Sequence, residues 1–169
     1  MSRTIVIYSS KYGSTEKYAK QIAQTLGCAE CPLESFDWNE LKQYDVVVYG
    51  GGIYAGKIRG LKEIKRVWKQ LESKRVAIFA DGQMVDSATP PDQLKAANFS
   101  PEMANTPLFL MKGQIAMEKL KGIDKLVIGM IAGKKKKQAV IKINQEGRQE
   151  KKPGPEEIIP LVERVKKWI

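Results

Sequence analysis

Short apolar runs set between helical periodicities constrain this chain more than any other feature of it. Residues 4–8 (TIVIY), 45–50 (DVVVYG), 75–80 (RVAIFA) and 107–111 (PLFLM) are rich in β-branched or aromatic residues. Their apolar character is nearly continuous rather than alternating, which marks strands covered on both faces, as in a parallel sheet. A weaker run at 29–33 predicts one more strand, and Pro32 within it argues for an edge position. Between the runs, Ala19, Ile22, Ala23 and Leu26 fall at helical spacing, as do Leu61, Ile64, Val67, Trp68 and Leu71. A last helix is expected at about 157–168 through Leu161, Val162, Val165 and Trp168, with Pro160 tolerable only in its first turn. Strands alternating with helices predict an open, doubly wound α/β domain with helices on both faces. No internal repeat or linker divides the chain, so residues 1–169 read as one domain.

Two segments stand outside this alternation. Residues 89–106 carry Pro-Pro, Ser-Pro and Thr-Pro signals and predict a loop with one or two short helices. Residues 117–131 follow the last strand with Leu120, Ile123, Leu126, Val127 and Met130 set between lysines. That face fits either a helix turned to the core or an amphipathic element that touches a membrane or a partner.

In a doubly wound sheet, ligands bind beyond the carboxyl ends of the strands, where strand order reverses. The loop after the first strand, Ser9, Ser10, Lys11, Tyr12, Gly13, Ser14 and Thr15, holds far more hydroxyls than one helix cap requires. Amides at the following helix N-terminus and the helix macrodipole favour an anion there. Ser10, Tyr12, Ser14 and Thr15 add hydroxyl donors, and Gly13 lets the backbone close in, so the expected guest is a phosphate monoester. The glycine spacing is neither that of a dinucleotide loop nor that of a Walker loop. Lys11 either pairs with the phosphate or points to solvent. The plainer reading of the whole loop is that Ser14 or Thr15 caps the helix and the rest is solvated.

The second candidate loop runs Gly50, Gly51, Gly52, Ile53, Tyr54, Ala55, Gly56, Lys57. Its glycines predict close approach of backbone to a flat group on which Tyr54 stacks; otherwise it is a flexible turn with a buried tyrosine. The third, Ala80, Asp81, Gly82 and Gln83, offers polar groups that can read an edge of the same ring, or forms a plain turn.

The first motif, Val6-Ile7-Tyr8-x-Ser10-x-x-Gly13-x-Thr15-x-x-x-Ala19-x-x-Ile22, resembles the FMN-phosphate signature of the flavodoxin family at every defined position. The second loop with Lys57, and residues 110–133, are similar to the flavodoxin-like branch that contains menaquinone-dependent protoporphyrinogen oxidase. The resemblance implies a five-stranded parallel sheet in the order 2-1-3-4-5, with a basic, amphipathic helical insertion at 115–137 after the last strand. It implies non-covalent FMN, its phosphate on residues 9–15 and its ring between the second and third loops, with Tyr54 stacking. It also implies that Gly50, Gly51 and Gly52 let a carbonyl turn toward N5 of the ring.

The chain has no histidine, which removes the commonest general base and metal ligand and leaves chemistry to a cofactor. Residues 117–169 carry 14 Lys/Arg against 7 Asp/Glu, so most of the formal +10 charge lies in the C-terminal third. The run Lys134 to Lys137 is either a solvated loop or a contact for anionic lipid, nucleic acid or an acidic partner. No aromatic is interleaved with it, so nucleic acid is not expected. The positive surface suits an acidic redox partner such as a ferredoxin-like protein, or a membrane face where a quinone is found. No apolar run reaches the roughly 18 residues of a membrane span and no signal-peptide pattern is present, so the expectation is a cytoplasmic protein, with peripheral membrane contact left open. Cys28 and Cys31 form a lone C-x-x-C with no second pair or histidine to complete a metal site, and reduced, inert thiols are expected. The functional expectation is an FMN-dependent oxidoreductase, with protoporphyrinogen oxidation and hence heme biosynthesis as its finer form. The alternatives are a pure electron carrier without a substrate of its own, and a flavin-free basic interaction module.

Overall fold

In the computed structural model of the chain, the described residues are 2–83, 85, 90–113 and 155–169. The apolar runs become β1 (Thr4–Ser9), β3 (Val46–Tyr54), β5 (Arg75–Gly82) and β6 (Leu108–Lys112), and the weaker run becomes β2 (Ala29–Pro32). These five strands are parallel and lie in the order β2-β1-β3-β5-β6, with β2 at an edge as Pro32 requires. A sixth strand, β4 (Lys57–Ile58), pairs antiparallel with the end of β3 and was not anticipated. The parallel set has the expected order; the sixth strand is an addition to it.

Helix α1 (Ser14–Leu26) buries Tyr18, Ala19, Ile22 and Ala23 against one face of the sheet. It stops at Gly27, whose φ of 64° supplies the left-handed residue of a Schellman ending: Cys28 N–H donates to Ala23 O and Gly27 N–H to Gln24 O. The C-terminal helix α5 (Pro155–Lys166) joins α1 on that face through Leu161, Val162 and Val165. It begins earlier than the periodicity suggests, so Pro160 falls in the second turn. Pro160 is exposed, and the carbonyl that loses its helical donor there can turn to water.

The other face is covered by α2 (Leu61–Arg66) and α3 (Trp68–Leu71), which bury Leu61, Ile64 and Leu71. The sequence pattern reads as one helix; Val67, at φ −100° and ψ 8°, divides it while keeping the apolar residues on the same side. Short 3₁₀ segments at Leu33–Ser35 and Trp38–Gln43 add Leu41 to this core, and the segment before β6 forms α4 (Pro91–Asn98) and a 3₁₀ turn at Pro101–Met103. The expected insertion at 115–137, the helix within 117–131 and the lysine run at 134–137 lie outside the described residues.

The chain passes from β1 to β2 on one side and returns to β3 on the other. That reversal opens a crevice at the carboxyl ends of β1 and β3. Among the described residues, no helix is long and apolar enough to cross a membrane.

Candidate functional site

β1 ends at Ser9 and α1 begins at Ser14, so the connection itself is only residues 10–13. Gly13 is the N-cap at φ 92°, a conformation that glycine adopts without strain. It has no side chain with which to cap, and amides of a first helical turn have no acceptor within the helix. Ser10 folds back and accepts the Gly13 N–H at 3.1 Å, which shapes the loop and leaves the Ser10 hydrogen for a further acceptor. The result is a helix end whose positive pole faces the crevice between β1 and β3.

The hydroxyls of this loop do not all point one way. Ser9 is buried on the opposite sheet face; it donates to Glu34 Oε1 at 3.2 Å and receives Arg59 Nε at 3.2 Å. It lines a separate cavity of about 440 Å³ with Leu33, Trp38 and Arg59. Thr15 donates to Asp81 Oδ1 at 2.6 Å, across 66 residues of sequence, and Ser14 hydrogen-bonds the same carboxylate. Lys11 is exposed, and its Nζ lies 5.2 Å from the Tyr12 ring and 5.1 Å from the Tyr54 ring. It thereby ties the first loop to the second.

The second loop differs from its expected form. Strand β3 continues through Gly50, Gly51, Gly52, Ile53 and Tyr54, and the turn is only Ala55 and Gly56 before β4 brings Lys57 back. Both turn residues have positive φ, 48° and 74°, the signature of a two-residue hairpin whose twist matches its strands. The glycines serve packing within the protein. A side chain at Gly50 would collide with the Phe79 ring, and one at Gly51 with the Arg59 carbonyl. Gly52 lies over Thr15, where an added Cβ would stand 3.3 Å from Oγ1. Its carbonyl accepts Arg59 N–H at 2.9 Å, so turning it toward a ligand would break a hairpin bond.

Asn98 at the end of α4 anchors this hairpin and was missed from the sequence. Its Oδ1 accepts Ile58 N–H at 3.0 Å while its Nδ2 donates to Gly56 O and Leu94 O, both at 2.9 Å. Lys57 reaches in the same direction, donating to Ala97 O at 2.7 Å. The hairpin therefore holds Tyr54, 37% exposed, at the rim of the crevice.

The third loop also begins within a strand, since β5 runs through Ala80, Asp81 and Gly82 before Gln83 turns. Ala80 is buried in the core; Gly82 packs against Ile53 and accepts Gly113 N–H at 2.8 Å. Burial pushes the Asp81 carboxyl up to about 6, with Glu157 adding like charge and the Thr15 and Ser14 hydroxyls partly opposing the rise. Tyr18 is fixed nearby, between Lys112 O and Glu157 Oε2, each at 2.7 Å, and Lys112 N–H donates to the same Glu157 oxygen.

Three of the sequence-derived segments thus meet at one end of the sheet: the first loop, the Tyr54 hairpin and the end of β5. Cys28 and Cys31 do not join them. Cys28 precedes β2 and packs on the α1 face, whereas Cys31 packs on the opposite face. Burial pushes the Cys28 thiol up to about 11 and raises Cys31 as well, which disfavours the reactive thiolate. Among the described residues no cluster of metal-ligating side chains is present.

No curated protein matches the chain. Among solved structures, the Trp repressor binding protein from Bacillus subtilis is similar with a TM-score of 0.52 at 16% identity, over 75% of this chain and 93% of that one. The flavodoxin, WrbA-like protein from Agrobacterium tumefaciens is similar with a TM-score of 0.50 at 15% identity, over 70% of this chain and 88% of that one. Both likenesses are of fold. A flavodoxin-domain family model matches residues 5–141, and the chain therefore belongs to the flavodoxin family.

Proposed function

We propose that this protein holds FMN non-covalently and works as an electron-transferring flavoprotein. The observation that carries the reading is the first turn of α1, opened by a left-handed Gly13 with no capping side chain and set at the β1–β3 reversal. The residues fit such a group. The amides of that turn and the Ser10 hydroxyl match a phosphate, and Tyr54 at the rim offers a ring face to an isoalloxazine. Gly82 and Gln83 supply backbone and amide groups for its edge. When bound, FMN supplies chemistry that no side chain here can, the uptake and release of one or two electrons. The chain's own part is to bind and orient. The α1 dipole holds the anion, Asn98 fixes the hairpin that carries Tyr54, and Lys11 links that hairpin to the phosphate loop.

The finer reading is an oxidoreductase of the protoporphyrinogen oxidase-like branch. Its support is the resemblance of the second loop through Lys57, and of residues 110–133, to that branch, together with a net positive charge suited to an acidic donor or an anionic membrane face. A pure carrier shares the same site but turns nothing over. Stepwise anaerobic reduction of the yellow protein, followed by steady-state assays with quinones and with porphyrinogen, separates the two. Turnover is the expected result; reversible reduction with zero turnover leaves the carrier, and a colourless protein that ignores added FMN overturns both.

A further inference from the structure

The phosphate end of the site contains an anion of the protein's own. Asp81 is 4% exposed and its carboxylate accepts hydrogen bonds from Thr15 and Ser14, the first two residues of α1. A 2.6 Å O–H···O contact has the length of a charge-assisted bond. The buried carboxylate therefore lies within one helical turn of the pole to which a phosphate docks, and on the same sheet face as α1. Among the described residues, the titratable groups that face it are Tyr18 on α1 and Glu157 on α5. Tyr18 is a neutral phenol at neutral pH and Glu157 is of like charge, so neither offsets a negative charge on Asp81. β3 opposes Asp81 with Gly52 and β6 with Met111, which contribute no charge either.

A dianionic phosphate brought to this helix end adds a second negative group beside a carboxylate that is already desolvated. Like charges brought together in one dry site disfavour each other, and the pKa of one is raised. We propose, resting on the FMN reading above, that Asp81 is a proton-accepting residue of the phosphate site: it takes one proton from solvent as the phosphate docks, and is a neutral carboxylic acid while the phosphate is held. The step balances as one carboxylate plus one proton giving one carboxylic acid, with the phosphate bound as its dianion. Burial already holds the Asp81 carboxyl near 6, so little further push is needed to bring its protonation into the neutral range.

The test is titration calorimetry of FMN into the full-length, flavin-stripped protein above about pH 7, where a phosphate monoester is already a dianion. Each titration is run in two buffers of different ionisation heat, with riboflavin as the phosphate-free probe. The expected result is net uptake of protons with FMN, and a Kd that rises with pH by up to about tenfold per unit over this range. Riboflavin binding shows neither effect. Asp81→Asn removes both and binds FMN more tightly than the wild type at the alkaline end. FMN binding by the wild type without proton uptake overturns the proposal, and so does an unchanged pH slope in Asp81→Asn; both leave the FMN reading intact. Absence of FMN binding at any pH overturns the FMN reading itself, and this proposal with it.

Discussion

Asp81 shows how a residue can be legible in a sequence while its role is not. Its place after an apolar strand marks it as a loop-three residue near a ligand, and Thr15 is marked equally well by the first motif. Nothing in the sequence says that they bond each other, because 66 residues separate them and only the β1-β3-β5 order brings them together. The pairing has a consequence for stability before any ligand is considered. The folded state holds the Asp81 proton more tightly than the unfolded chain does, near 6 against an ordinary 3.8. The native state thus binds more protons between those values, and stability falls as pH rises from about 4 to about 6, then levels. Asp81→Asn keeps an acceptor for Thr15 and removes the buried charge. Denaturant unfolding of flavin-free protein at pH 7.5 is expected to find this variant about 1–3 kcal/mol more stable than the wild type. The gap closes below about pH 4, where both carry a neutral group. A difference that does not change with pH would contradict this account of Asp81.

Among the elements, the Gly-rich segment after β3 shows where local reading falls short. Gly50 to Gly52 suggest room for a ligand, but two of the three gaps are filled from within, by the Phe79 ring of β5 and by the Arg59 backbone just after β4. A glycine records that something comes close; the sequence does not say what. The hairpin itself was signalled weakly, because its turn is Ala-Gly rather than the Asn-Gly that marks such turns, and Ala55 takes a positive φ that alanine disfavours. What holds that turn is Asn98, whose single side chain makes three hydrogen bonds from a helix end with no motif to announce it. Asn98→Ala leaves the buried Ile58 N–H without that acceptor and is expected to cost about 2–3 kcal/mol in unfolding free energy. Hydrogen exchange at Ile58 should quicken more than exchange in β1. A loss under about 0.5 kcal/mol would mean that water or relaxation replaces the anchor. The division of the second helix at Val67 and the two 3₁₀ turns were likewise unreadable, since they keep the same apolar residues inward and differ only in backbone angle.

For the whole molecule, the sheet was the legible part. Near-continuous apolar runs can be buried only between two layers of helices, so five parallel strands with helices on both faces followed from hydrophobicity, and Pro32 put β2 at an edge. The reversal between β1 and β3 marks where a ligand is expected, and the segments Ser10 to Thr15, Tyr54 and Asp81 to Gln83 converge there. Ser9 is the residue of the first loop that side-chain direction sends elsewhere, because strand alternation turns it to the opposite face. The open end of α1 is the proposed seat of a phosphate. Calorimetry at pH 7 with FMN and with riboflavin tests it most directly, since the two differ only in that group. FMN binding once per chain and about 100-fold more tightly than riboflavin is predicted from a charge-assisted contact at a helix pole. Equal affinity for the two, or no heat from either, would contradict it.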